Sequence, residues 1–326
     1  MAQRSAGQGL LFWGQFVLAI GIHRPRSLSP QTLTPKLLTQ SIVRRMKSMS
    51  ELLSDKYQKV HEKARHAVVC LSGGMDSSSL LLNLLAQGMT VYGMSYDYGQ
   101  KHRVELSKLS ELLGYLKDQG YPVEHQLVDV SVLGHLYHSA LTDESWKVPE
   151  GFYEKPNMKE TVVPNRNAIF AAIAYGYALS VAGKHETDVA LALGVHSGDH
   201  AIYPDCRPEF YEAIYRAFAI GNWDSERVHL YLPYLALDKH RILQDAQQSC
   251  GQLGLEFNEV FKRTLTSYEP DAQGRSSGKT GSDVERILAF HQLGVEDPIE
   301  YVDPWPVVLK RALEFEQQHS EEASAD

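Results

Sequence analysis

The sequence predicts an α/β protein, an open parallel sheet with helices on both faces, followed by a helical carboxy-terminal part. Short apolar runs alternate with longer amphipathic stretches at the spacing of a crossover unit. The first run meets a glycine pair that opens a helix, and beyond Pro233 the pattern turns helical.

Ala67 to Leu71 reads as the first strand, Ser77 to Ala86 as a helix stopped at Gly88, and Thr90 to Tyr96 as the second strand. A helix over Glu105 to Leu116, a strand over Val123 to Val128, a helix over Asn167 to Val181 and a strand over Asp188 to Leu193 repeat the alternation. Such sheets bind ligands at the carboxyl ends of their strands, so the loop Ser72 to Ser77 and the loop after Leu193 are expected to face one cleft. Leu133 to Thr161, with Pro149, Gly151 and Pro156, has no sustained period and reads either as a mobile loop over a site or as a surface insertion. Helices over Asp238 to Leu253 and Ser282 to Leu293 flank a Gly/Ser-rich segment, Gln273 to Asp283.

Residues 1–50 read as a disordered leader or a start placed too early, with Met46 and Met49 as alternative starts. The apolar stretch Gly9 to Ile22 is too short to span a bilayer, and His23-Arg24-Pro25-Arg26 offers no small-residue cleavage site. An α/β domain over 51–235, a helical part over 236–315 and a frayed acidic tail over 316–326 complete the division.

At 326 residues, 43% hydrophobic and 22% charged, the chain is long enough for one large domain with an appendage. Its 32 Lys+Arg against 40 Asp+Glu leave a charge of -8, which works against a phosphate-tracking surface and argues against nucleic-acid binding. Cys70, Cys206 and Cys250 are too few and too far apart for a disulfide framework or a four-cysteine metal site. The chain reads as cytoplasmic, without a membrane partner.

Ser72-Gly73-Gly74-Met75-Asp76-Ser77 carries the chemistry. Two glycines let successive amides turn inward, and the helix start behind them adds partial positive charge, so a phosphate group fits there. No lysine follows the glycines, which excludes the loop that grips terminal phosphates and suits a departing pyrophosphate. The competing reading is a glycine turn with Asp76 as helix cap.

With its flanking strand and helix, this string resembles the loop of the ATP pyrophosphatase superfamily, whose members adenylate a substrate for a nitrogen or sulfur nucleophile. Asp97 to Leu106, Val163-Pro164-Asn165-Arg166-Asn167, Tyr203 to Phe210, Leu232 to Lys239 and Asp297 to Tyr301 narrow the resemblance to the 7-cyano-7-deazaguanine synthase family, QueC. The resemblance implies an adenine nucleotide alpha hydrolase-like, Rossmann-like fold and an ATP pyrophosphatase domain. It also implies a carbon–nitrogen ligase that uses ATP and Mg2+ to turn 7-carboxy-7-deazaguanine and ammonia into 7-cyano-7-deazaguanine in queuosine biosynthesis. The alternatives are a relative that activates a deazapurine or other carboxylate for a different acceptor, and a nucleotide-binding protein without turnover.

The resemblance places ATP against Leu71, Ser72, Gly73, Gly74, Met75, Asp76, Ser77, Ser78, Ser79, Leu80 and Leu81, with Asp76 helping to hold Mg2+. Charge developing at phosphate and at the tetrahedral carbon calls for fixed cations, for which Lys101, His102, Arg103 and Arg166 are candidates, each with a surface salt bridge as the competing role. Asp199 or Asp205 would accept from the donor edge of a guanine-like ring, with Arg207 nearby; the competing role of Asp205 is to cap a helix over Pro208 to Phe218. Cys206 has no evident catalytic partner and reads as a packed small residue.

One departure stands out. Family members hold zinc with four cysteines, and the matching positions here are Ser267, Ser277, Thr280 and Asp283. Three neutral hydroxyls and one carboxylate are a poor zinc site, so zinc is expected to be absent and the Gln273 to Asp283 segment more mobile than in zinc-bearing relatives. Packing, or a subunit contact in a homodimer, would then hold the carboxy-terminal part.

Overall fold

The computed structural model describes residues 64–325 apart from 102, 138, 144, 147, 149, 151–159 and 197–202. These belong to the unit Met49–Asp326; the leader, 1–50, lies outside the described residues, as does most of the amphipathic stretch that follows it. Five strands form one sheet in the order β3-β2-β1-β4-β5, with every neighbouring pair parallel. They are β1 His66–Cys70, β2 Thr90–Asp97, β3 Glu124–Asp129, β4 Val189–Ala192 and β5 Val228–Tyr231. The helices, in chain order, are α1 Met75–Ala86, α2 Val104–Asp118, α3 Val132–Leu136, α4 Arg166–His185, α5 Pro208–Gly221, α6 Lys239–Leu253, α7 Phe257–Phe261, α8 Gly281–Leu293 and α9 Trp305–Ala325.

The period of two along each strand splits the core. Ala67, Val69, Val91, Ala190 and Ala192 face Leu80, Leu81 and Leu84 of α1, Leu109 and Leu112 of α2, and Ile242 and Ala246 of α6. Val68, Tyr92, Met94, Val189, Leu191 and Leu230 face Ala171, Ala174, Tyr175 and Ala178 of α4 and Tyr211 of α5. Apolar residues on both faces are what a parallel sheet covered by crossover helices requires. From β1 the chain builds outward through β2 and β3, then returns to lay β4 on the other side of β1. The order therefore reverses at the carboxyl ends of β1 and β4, where crossover connections leave a crevice.

Two elements depart from the sequence reading. β5 is only four residues, Val-His-Leu-Tyr, too short to show a period, and its pairing with β4 defines it. The acidic segment 316–326, expected to fray, continues α9 as far as Ala325. Val308 and Ala312 of that helix are fully buried against Val284 and Ile287 of α8, which anchors it. No helix among the described residues is long and apolar enough to cross a membrane.

Candidate functional site

The loop after β1 is shaped by Gly73, whose φ of +88° is in the left-handed region and whose position leaves no room for a side chain: a Cβ there would lie 2.3 Å from the Glu105 carbonyl oxygen. Hydroxyls brace the turn. Gly74 N–H donates to Ser72 Oγ at 3.2 Å, and Ser72 N–H donates to Ser77 Oγ at 3.2 Å. The carboxy-terminal part straps the loop from outside, with Leu265 N–H donating to the Gly73 carbonyl at 2.9 Å and Met75 N–H to Thr266 Oγ1 at 3.3 Å.

The start of α1 thus opens onto a cavity of about 260 Å³. Ser72, Gly74, Asp76 and Ser77 line one side, and Leu193, Gly194 and Val195, directly after β4, line another, so the two loops do face one cleft. A Cβ on Gly194 would touch the Asp76 carbonyl and Ser77 Cα at 3.4 Å, so the glycine sets the close approach of the loops. Of the residues assigned to ATP, Leu71 also lines the cavity, while Gly73 and Met75 complete the turn behind it. Ser78, Ser79, Leu80 and Leu81 are fully buried in α1, with Ser79 Oγ donating to the Met75 carbonyl at 2.8 Å.

Asp76 does not cap α1. The N-cap is Gly74, and no side chain caps this end. Lys239 Nζ instead donates to Asp76 Oδ2 at 3.0 Å and lies 3.3 Å from Glu285 Oε2, with His196 Nε2 3.8 Å from the same Asp76 oxygen. Burial pushes the Asp76 carboxyl up, but the charges of Lys239, His196 and Arg286 outweigh it and hold the carboxyl below its ordinary value. Asp76 Oδ1 is buried and accepts no hydrogen bond among the described residues. Lys239 was not singled out by the sequence, because nothing in the spacing of Leu232 to Lys239 shows that the first residue of α6 meets the first turn of α1.

The other end of the cavity is aromatic, lined by Tyr98, Phe170, Tyr203 and Tyr268 with Cys206. Tyr96 and Phe170 stack with centroids 4.1 Å apart, and Tyr203 shares a 2.6 Å hydrogen bond with Thr161. Arg166 projects here from the first position of α4, after Asn165 in the left-handed region at φ 59°. Its Nη1 donates to Tyr98 OH at 3.4 Å and its Nε to Asn167 Oδ1 at 3.4 Å. Burial pushes the Tyr98 phenol up to about 12, against the pull of Arg166, so that hydroxyl is neutral at physiological pH. Cys206 is buried beside Tyr203, 3.7 Å from Asn167 Nδ2. Leu141 and Val148, from the stretch between Leu133 and Thr161, pack with Tyr98 and Val163 on this side.

The remaining candidates sit elsewhere. Lys101 Nζ donates to the Trp146 carbonyl at 2.5 Å, and Arg103, with its side chain 63% exposed, pairs with Asp97; neither lines the cavity. Arg207 is exposed and is itself the N-cap of α5, which leaves Asp205 in the preceding turn Pro204–Cys206 rather than at the helix start. Asp205 Oδ1 is buried and accepts no hydrogen bond among the described residues. His102 and Asp199 lie outside the described residues.

The four positions matched to zinc cysteines come together around one carboxylate. Asp283, 1% exposed, accepts at Oδ2 from Ser267 Oγ at 3.2 Å, Ser277 Oγ at 3.1 Å and Thr280 Oγ1 at 2.8 Å. The backbone N–H groups of Lys279 and Thr280 donate to the same oxygen at 3.2 and 3.1 Å, and Ser276 Oγ donates to Oδ1 at 2.6 Å. Thr280 and Asp283 also form a reciprocal capping box on α8. With its oxygens filled by neutral donors and no thiolate or imidazole in the set, the cluster does not fit zinc. Within the Gln273 to Asp283 segment the carboxylate ties hydroxyls and backbone amides together through hydrogen bonds. Next to it, Arg286 grips Asp297 with Nε to Oδ2 at 2.6 Å and Nη2 to Oδ1 at 2.9 Å, and donates from Nη1 to Thr264 and Thr266 behind the glycine loop.

Fold and cavity define an α/β protein with its glycine loop at the switch point of an open parallel sheet. The family described as queuosine biosynthesis protein QueC matches residues 66–294. A 7-cyano-7-deazaguanine synthase of Caldicellulosiruptor saccharolyticus is 43% identical over 235 residues, covering 72% of this chain and 95% of the relative. Relatives of the same name in Psychromonas ingrahamii and Methanoregula boonei are 39% identical over 241 residues and 40% over 235, covering 74% and 72% of this chain and 99% and 98% of theirs. The chain belongs to the QueC family.

Proposed function

We propose that the chain is an ATP-dependent ligase that converts 7-carboxy-7-deazaguanine and ammonia to 7-cyano-7-deazaguanine in the cytoplasm. The observation that carries this reading is the Ser72 to Ser77 turn, open to a cavity whose far end is aromatic, in a chain whose relatives bear that name.

A carboxylate is a poor electrophile, so its oxygen must first attack the α-phosphorus of ATP, forming an acyl–phosphate bond as pyrophosphate leaves. Ammonia then adds to the acyl carbon, AMP leaves and a proton is lost, giving the amide. A second ATP activates the amide oxygen in the same way, with loss of pyrophosphate and one N–H proton, and departure of AMP with the remaining N–H proton gives the nitrile. On this reading the first turn of α1, with its partial positive charge and the Ser72 and Ser77 hydroxyls, receives pyrophosphate, and Lys239 adds positive charge beside it. Asp76 Oδ1, buried and unbonded among the described residues, would be an oxygen ligand for Mg2+. The ion, when bound, neutralises phosphate charge. Tyr98, Phe170, Tyr203 and Tyr268 offer flat apolar walls to a purine-like ring.

Purified protein incubated with ATP, ammonium and 7-carboxy-7-deazaguanine should release pyrophosphate and AMP and form the nitrile by mass spectrometry. Pyrophosphate release without the nitrile would instead support activation of a carboxylate for another acceptor, and no release would support nucleotide binding without turnover.

A further inference from the structure

Arg166 is the cavity-lining cation that has no ion pair among the described residues. Lys239, the other lining cation, is engaged by Asp76 and Glu285. Among the described residues the hydrogen-bond partners of Arg166 are neutral, the Tyr98 phenol and the Asn167 amide oxygen, both at 3.4 Å, and its guanidinium carbon lies 5.7 Å from the centre of the Tyr98 ring. A guanidinium has five donors and keeps its charge, so most of its hydrogen-bonding capacity is unspent. It also stands at the first position of α4, where the helix adds partial positive charge and the first turn holds no acidic residue. A guanidinium beside that partial charge, partly buried and with no ion pair among the described residues, is unfavourable until an anion arrives.

Resting on the functional reading above, we propose that Arg166 binds the carboxylate of the substrate and aims it toward the glycine loop, making it the residue that admits the acid. On that reading the phosphates meet the first turn of α1 and Lys239, whereas Tyr98, Phe170, Tyr203 and Tyr268 take the ring that bears the carboxylate. The planar fork of the guanidinium matches both carboxylate oxygens and leaves a lone pair free to attack phosphorus. Once the carboxylate has become an amide, the charge that Arg166 recognises is gone. The second activation therefore depends on it much less.

This predicts a split that a structural role would not produce. In the full-length protein, Arg166→Gln should lower kcat/KM for 7-carboxy-7-deazaguanine by about 10- to 100-fold, mainly through KM, and lower it for the corresponding amide supplied as substrate by less than about threefold. Arg166→Lys, which keeps the charge but not the fork, should fall between. Calorimetric titration with the acid in the absence of ATP should show the same ranking, and melting temperatures identify any variant that folds poorly. If acid and amide use fall by the same factor in both variants, or neither falls, the assignment of Arg166 is wrong although the functional reading stands. If the wild-type protein uses neither compound, the functional reading fails, and this inference with it.

Discussion

Lys239 Nζ lies 3.0 Å from Asp76 Oδ2, so the first residue of α6 clamps the first turn of α1 across 163 positions of sequence. The contact does two things. It steadies the wall of the cavity next to the glycine loop, and it leaves Asp76 Oδ1 buried and without a hydrogen bond among the described residues.

Removing that carboxylate should therefore strike activity before stability. Asp76→Ala is expected to lower AMP and pyrophosphate formation by at least about 100-fold, since phosphate charge loses its metal-holding partner. Lys239→Met leaves Asp76 buried without its closest cation and should lower both activity and melting temperature. Pyrophosphate release at wild-type rate in Asp76→Ala would remove the residue from the mechanism.

The same pair gives a pH dependence with a definite sign. The Asp76 carboxyl is held below its ordinary 3.8 because the surrounding positive charges outweigh the effect of burial. As pH falls, the unfolded chain takes up the proton first. The stabilisation is thus complete above about pH 5 and is lost as pH drops below 3.8 through the lower folded value. Melting curves from pH 6 downward should fall more steeply for wild type than for Asp76→Asn; parallel curves would show that the carboxyl is not shifted.

Gly73 tests the loop. Its positive φ and the 2.3 Å approach of a Cβ to the Glu105 carbonyl leave no accommodation without moving backbone. Gly73→Ala should destabilise by more than about 2 kcal/mol and abolish ATP use, read by thermal melting and pyrophosphate release. A variant that melts and turns over like wild type would show that the turn is not needed in this form.

Asp283 gathers hydrogen bonds where the family resemblance would set a metal, and each alternative has a measurable signature. Elemental analysis of protein purified without a metal-binding tag should find no stoichiometric zinc, and chelator should leave the melting temperature unchanged. Asp283→Ala strands the Ser267, Ser276, Ser277 and Thr280 hydroxyls in a buried site and should cost at least about 3 kcal/mol. Placing four thiols there with Ser267→Cys, Ser277→Cys, Thr280→Cys and Asp283→Cys should create zinc binding, since Ser267, Ser277 and Thr280 all reach the Asp283 carboxylate. One tightly held zinc in the parent chain would overturn this account.

The sequence by itself determined the parallel α/β fold, the strand–loop–helix that holds the glycine turn, and the family. These are local matters: a five-residue apolar run, a glycine that no other residue replaces, and a string such as Tyr203 to Phe210 are readable in order along the chain. Only the tertiary structure decided which charged side chains reach the cavity. Lys101, Arg103 and Arg166 have the same sign and look equally eligible as sequence, yet Arg103 turns to Asp97 at the surface, Lys101 to the Trp146 carbonyl, and Arg166 into the aromatic end. Lys239 and Arg286 gain their roles from helices that close over the loop from far along the chain. Charge carries no periodicity of its own, and a long side chain reaches in almost any direction. Its partner is fixed only when the backbone elements have packed.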